Sequence, residues 1–181
     1  METVELPHME QHPLHLCLFR DLHNAPFLRQ QLLQGNTDFQ YAFLDASVLL
    51  SRNHVFSACF RAINDMINHR MKSRNVHSEI VFAMSPNNNI AESFRRFGIQ
   101  DDSKNIVAVK VGSDRETVEK HLFANVQGNA SQLDDETLAS LHDAGRLRKI
   151  YRLDAPKKGE ALVLGNEAEA FTIGTMSLKG S

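Results

Sequence analysis

Short apolar runs alternate with helix-like segments along most of this chain, and that alternation constrains the fold more than any other feature. Leu14 to Phe19 (LHLCLF) has period two, with both faces at least partly apolar, as in a strand. Phe39 to Leu44 is aromatic and apolar and suits a second strand, His77 to Met84 a third, and Asn105 to Val111 (NIVAVKV) is the clearest of all. Helical patterns lie between most of them. The expectation is a mixed α/β fold: a single compact domain over residues 1–181, with a central, mainly antiparallel or mixed sheet of four or five strands flanked by helices. Residues 1–12 are expected to be flexible.

The helix signals are mostly caps and stripes. Asn24 precedes a helix running to about Gln34 with Pro26 in its first turn, stopped by Gly35 and Asn36. Ser51 opens the longest helix, where Val55, Cys59, Ile63 and Ile67 recur every four residues and Phe56, Phe60 and Met66 broaden the stripe. A stripe this wide implies either deep burial or a second surface that meets a partner. Asn89 with Glu92 predicts a capped short helix closed at Gly98, with Ile99 packing back on Phe94. Ser113 with Glu116 repeats the pattern before Val118, Leu122 and Val126, ahead of Gly128. Leu138 and Leu141 sit in a helix closed near Gly145. Leu147 to Tyr151 reads as helix or strand, Lys157 to Gly159 as a loop, and Glu167 to Met176 as a helix that needs tertiary support.

Composition excludes more than it selects. With 20 basic and 22 acidic side chains the global field favours no particular partner, although Arg70, Lys72 and Arg74 cluster, as do Arg146, Arg148, Lys149 and Arg152. The polar, acidic start lacks the shape of a signal peptide, and no apolar run is long enough for a membrane span. Cys17 and Cys59 read as buried small hydrophobes in a reducing compartment. Nine histidines are scattered without a metal-ligand spacing, and no Gly-rich phosphate loop occurs, so neither a metal nor a cofactor is expected. No nucleophile lies in an activating pattern, which leaves little for an independent enzyme. In Ser85 to Gly98 (SPNNNIAESFRRFG), turn and cap chemistry explains Pro86, Asn89, Glu92 and Gly98. Asn87, Asn88, Arg95 and Arg96 stay open between structural and ligand-binding roles.

The wider segment NVHSEIVFAMSPNNNIAESFRRFGI (Asn75 to Ile99) resembles the signature of the PRPK-binding protein family, the smallest core subunit of the KEOPS (EKC) complex. LHLCLFRDLHNAPFLRQQL, YAFLDASVLLSRNHVFSACFRAI, LRKIYRL and the closing TMSLKG resemble further parts of it, so the likeness covers nearly the whole chain. It implies a non-catalytic regulatory subunit that binds the complex's small atypical kinase (an ATPase). Through that kinase it meets the threonylcarbamoyl transferase subunit. The product is threonylcarbamoyladenosine beside the anticodon of tRNA. It also implies residence in nucleus and cytoplasm, with links to telomere maintenance and transcription. By position, the kinase-facing surface uses Phe56, Phe60, Arg61, Ile63 and Ile173, the apolar ones having core packing as their alternative. An alternative principal task is binding the tRNA acceptor (3′) end, with Lys72, Arg74, Asn88, Arg95 and Arg96 as candidate contacts. Thr175 stands where relatives often carry an arginine.

Overall fold

The computed structural model describes residues 1–154 and 164–180. In it, strands β1 (Glu2–Val4), β2 (Leu14–Arg20), β3 (Ala42–Asp45), β4 (Ile106–Val111) and β5 (Asn129–Ser131) form one antiparallel sheet in the order β1-β2-β4-β3. The strand β5 shares the outer edge of β2 with β1. Val4 pairs with Leu14 and Glu2 with Leu16, whereas Ser131 pairs with Leu18 and Asn129 with Arg20. The other outer edge, on β3, is closed by a bridge from Leu44 to Gly98 and by the Ile99 N–H donating to Phe43 O.

The period-two pattern divides the sheet into two cores. Leu14, Leu16, Leu18, Leu44, Val107 and Val109 face one side; Cys17, Phe19, Phe43, Ile106 and Ala108 face the other. The second side is covered by α1 (Ala25–Leu33) and α5 (Arg115–Asn125), through Leu28, Val118 and Leu122. The first side is thicker. It holds α2 (Arg52–Ile67), α3 (Val76–Met84), α4 (Ile90–Phe97), α6 (Asp135–Leu141), α7 (Ala144–Tyr151) and α8 (Asn166–Leu178). The α3 helix contacts β3 and β4, α2 packs on α3, and α8 packs on α2.

Several local expectations need correction. His77 to Met84 is not a strand but most of α3, whose first turn is capped by the Asn75 side chain accepting from Ser78 N–H at 2.9 Å. The sheet, α2 and α4 enclose this helix so completely that seven residues of the span Val76–Met84 besides His77 are buried. A helix without a wet side loses its 3.6-residue signature and reads as an apolar run. The amino terminus, expected to be flexible, lies against the sheet: β1 is paired, and Leu6 and Met9 are buried in the thicker core. Asp114, not Ser113, caps α5, and Ser113 takes a left-handed φ of 67°. Gly145 lies inside α7 rather than closing α6. Gly98 is extended, not left-handed, and carries Ile99 over to the opposite core instead of back onto Phe94. Leu147 to Tyr151 is helical, and Lys157 to Gly159 falls outside the described residues.

Two buried histidines join the helices to each other and to the sheet. His54 Nδ1 accepts from Leu50 N–H at 3.0 Å, so its Nε2 carries the proton and donates to Tyr151 Oη at 2.7 Å; the Tyr151 hydroxyl in turn donates to Met84 O. That chain ties α2, α7 and α3. His77 Nε2 accepts from Val111 N–H at 3.0 Å and fastens α3 to β4. Burial pushes both imidazoles down to about 3, His77 with help from the Lys110 charge.

Candidate functional site: a groove between α2 and α8

Ser51 fixes the start of α2, its hydroxyl accepting from His54 N–H at 3.1 Å while donating to Glu169 on α8 at 2.5 Å. The two helices therefore begin side by side. They are still side by side where α8 ends, because the Arg61 guanidinium, midway along α2, donates to the carbonyls of Met176 and Lys179 at the carboxyl end of α8. A cation at a helix carboxyl end meets both the unpaired carbonyls and the negative pole of the helix. Clamped at both ends, α8 runs parallel to α2 and leaves a groove of about 960 Å3 along the outer side of α2.

One part of the groove is apolar, lined by Leu6, Phe56, Phe60 and Ile173. Phe60 is 45% exposed, and two turns further on Ile67 is 46% exposed. Phe56 is half-buried beneath the Arg52 guanidinium, 5.3 Å from its ring centre. The other part is charged, bringing Arg61, Arg70, Lys72 and Lys179 together with Asp65 and Glu79.

Lys179 is the least ordinary of these. It is buried, with its ammonium 3.3 Å from the centre of the Phe82 ring and donating to Phe82 O, which closes the carboxyl end of α3. Burial first, and then the Arg61 charge, push it down to about 7, with Glu79 and Asp65 opposing. Glu79 is buried too, and its Oε2 accepts from Ser73 Oγ at 2.5 Å, Ser73 N–H at 2.8 Å and Lys72 N–H at 3.0 Å. The loop before α3 is thus folded around one carboxylate.

The structure sorts the residues singled out from sequence. Phe56, Phe60, Arg61 and Ile173 all line the groove, with Lys72 and Asn88. Ile63 does not: it is fully buried in the core, so it presents no surface to a partner. Arg61 is spent on α8 and on Asp65, 3.7 Å away, so its first task is to seat a helix rather than to offer a free charged edge. Arg74 is exposed outside the groove. Arg95 and Arg96 both pair with Glu92, at 3.4 and 2.6 Å. Glu92 also accepts from the Asn87 amide at 2.8 Å and does not reach back to the Asn89 backbone. Asn87 itself accepts from Asn89 N–H, so its role is to shape the turn. Thr175 donates to Phe171 O within its own helix. Leu6, Phe82 and Glu79 were not legible as groove residues, because nothing local marks the ends of α3 or the amino terminus as neighbours of α2.

Among the described residues, no cluster of three or more His, Cys, Asp and Glu side chains is placed to hold a metal ion, and no helix is long and apolar enough to cross a membrane. Both cysteines are buried, and burial raises both thiols, Cys59 to about 12, which keeps them protonated and unreactive.

The sequence pattern of the family described as kinase binding protein CGI-121 matches residues 19–180, a span that takes in every helix bordering the groove. An EKC/KEOPS complex subunit cgi121 of Aspergillus terreus is 49% identical, across 100% of this chain and 97% of its own length. The subunit of the same name from Coccidioides immitis is 51% identical over 84% of this chain and 77% of its own, and that from Yarrowia lipolytica 38% identical over 98% and 99%. A family match over residues 19–180, with identities of this size across most or all of the chain, places the protein in the kinase binding protein CGI-121 family.

Proposed function

We propose that this chain is a non-catalytic subunit of the EKC/KEOPS complex that docks the complex's small atypical kinase in the groove between α2 and α8. By that contact it supports formation of threonylcarbamoyladenosine beside the anticodon of tRNA, meeting the transferase subunit only through the kinase, in nucleus and cytoplasm. The observation that carries this reading is the outward apolar strip of α2. Phe60 stands nearly half exposed in a groove that it lines together with Phe56, Ile173 and several charged side chains. Aromatic anchors ringed by polar groups are how protein interfaces concentrate their energy. The family's description as kinase binding, and the relatives' identity as EKC/KEOPS complex subunits, support this kind of partner.

The test is Phe60→Arg, with binding to the purified kinase measured by calorimetry and folding checked by thermal unfolding. An anchor at the centre of an interface contributes about 2 kcal/mol or more, so affinity falls by roughly thirtyfold or more while the melting temperature holds. Equal binding by the variant, or no binding by the unaltered chain at micromolar concentration, overturns the reading.

A second reading, binding of the tRNA acceptor end, draws on Lys72 and Asn88, which are both exposed at the groove. Titrating tRNA with and without its 3′ end, at two salt concentrations, tests it. Equal affinity for the two forms removes acceptor-end recognition.

A further inference from the structure

The charged half of the groove is not balanced. It sets the cations Arg61, Arg70, Lys72 and Lys179 against the anions Asp65 and Glu79. Both anions are already served from within the chain. Asp65 takes Arg70 at 3.2 Å and Arg61 at 3.7 Å, while Glu79 takes Ser73 and two backbone N–H groups. Arg61 and Lys179 are likewise committed, to helix-end carbonyls. What remains facing water is Lys72, whose backbone N–H is engaged but whose ammonium has no hydrogen bond or ion pair among the described residues. Beside it the Arg70 side chain is 57% exposed.

Resting on the reading of this groove as the kinase-docking surface, we infer that the partner places a carboxylate next to its apolar anchor, received by Lys72 and the exposed face of Arg70. The family's description makes a kinase the partner, and an apolar patch beside a cationic one suits a protein surface that sets an apolar anchor next to a carboxylate; single-stranded RNA, which would stack a base on Phe60 and leave its phosphates to the cations, is the competing outcome of the test. The position of Lys72 at the rim gives the pair a defined character. A rim charge steers the encounter and sets register, and its energy is screened by salt.

The experiment uses the full chain and the purified kinase, with association followed at about 50 and about 300 mM salt, a range over which the screening length falls from about 14 to about 6 Å. Lys72→Glu reverses the charge, Lys72→Gln removes it and Lys72→Arg keeps it. All three retain the backbone N–H that Glu79 needs, so the melting temperature stays with the parent. The expected result is a loss of about tenfold for Lys72→Glu at low salt, chiefly in the association rate, a smaller loss for Lys72→Gln and none for Lys72→Arg. The salt dependence seen with the parent chain flattens in Lys72→Gln. If Phe60→Arg loses the kinase while every Lys72 variant binds like the parent, the docking surface stands and the carboxylate falls. If Lys72→Glu weakens tRNA but not the kinase, the charge serves RNA and the inference is again overturned. If the parent chain does not bind the kinase, both readings fall together.

Discussion

Mild acid should destabilise this fold through its buried histidines, well before the carboxylates protonate. His54 and His77 are both neutral in the folded chain, each with a pKa pushed down to about 3, against about 6.5 when unfolded. The unfolded chain therefore binds more protons than the folded one between those values. Stability from these two groups is fully present above about pH 6.5 and is lost progressively as pH falls toward 3. At pH 5 each group is 1.5 pH units or so below its unfolded pKa, which at about 1.4 kcal/mol per unit is about 2 kcal/mol, and about 4 kcal/mol for the pair. The mechanism is visible in the bonds: a proton on His54 Nδ1 faces the Leu50 N–H that now donates to it, and a proton on His77 Nε2 faces the Val111 N–H. His121 and His142 are also lowered by burial and act in the same direction. For a chain of this size about 4 kcal/mol corresponds to a fall in melting temperature of about 8–16 °C. Thermal unfolding followed by circular dichroism between pH 7.5 and 5 measures it, and His77→Gln, which can still accept from Val111 N–H, should remove about one proton from the slope. A melting temperature that is flat over this range, or a slope that the substitution leaves unchanged, refutes the reasoning.

Other perturbations read out the frame around the groove. Arg61→Ala strips two charge-assisted bonds from the end of α8 and should cost about 2–4 kcal/mol locally, seen as faster amide exchange across α8 and as weaker kinase binding through a displaced Ile173. Gly98→Ala puts a Cβ 2.7 Å from Phe94 O, so the backbone at the end of α4 must shift; a melting loss equivalent to about 1–3 kcal/mol is expected, with Phe60 still exposed and binding retained after correction for folding.

The sequence made the two central strands legible, β2 by its alternation and β4 as a β-branched apolar run, whereas β1 and β5, three residues each, are too short to carry a pattern; it made α2 legible because Ser51 and the Val55–Cys59–Ile63 spacing agree. It failed at α3 for a physical reason already present in the packing: a helix enclosed by sheet and helices needs no polar face, so periodicity has nothing to report. At the groove, Phe60 and Phe56 were recognisable as surplus apolar surface, but Ile63 sits on the same stripe and points inward. One dimension gives a residue's helical angle, whereas which angles are covered depends on where α8 comes to rest. Arg61 shows the same limit. Its charge was visible, but its engagement with Met176 and Lys179, more than a hundred residues away, was not.

A small detail of the sheet bears on how the molecule behaves in a crowded solution. Exposed strand margins recruit other chains by offering unpaired N–H and C=O groups in a row. Here the seven-residue margin of β2 is taken up by two three-residue strands, and the opposite margin, on β3, is spent on Gly98 and Ile99. Neither side offers a long ladder to a stranger, so this protein can keep an oily strip of helix available for its partner without also inviting the sheet-to-sheet growth that leads to aggregates.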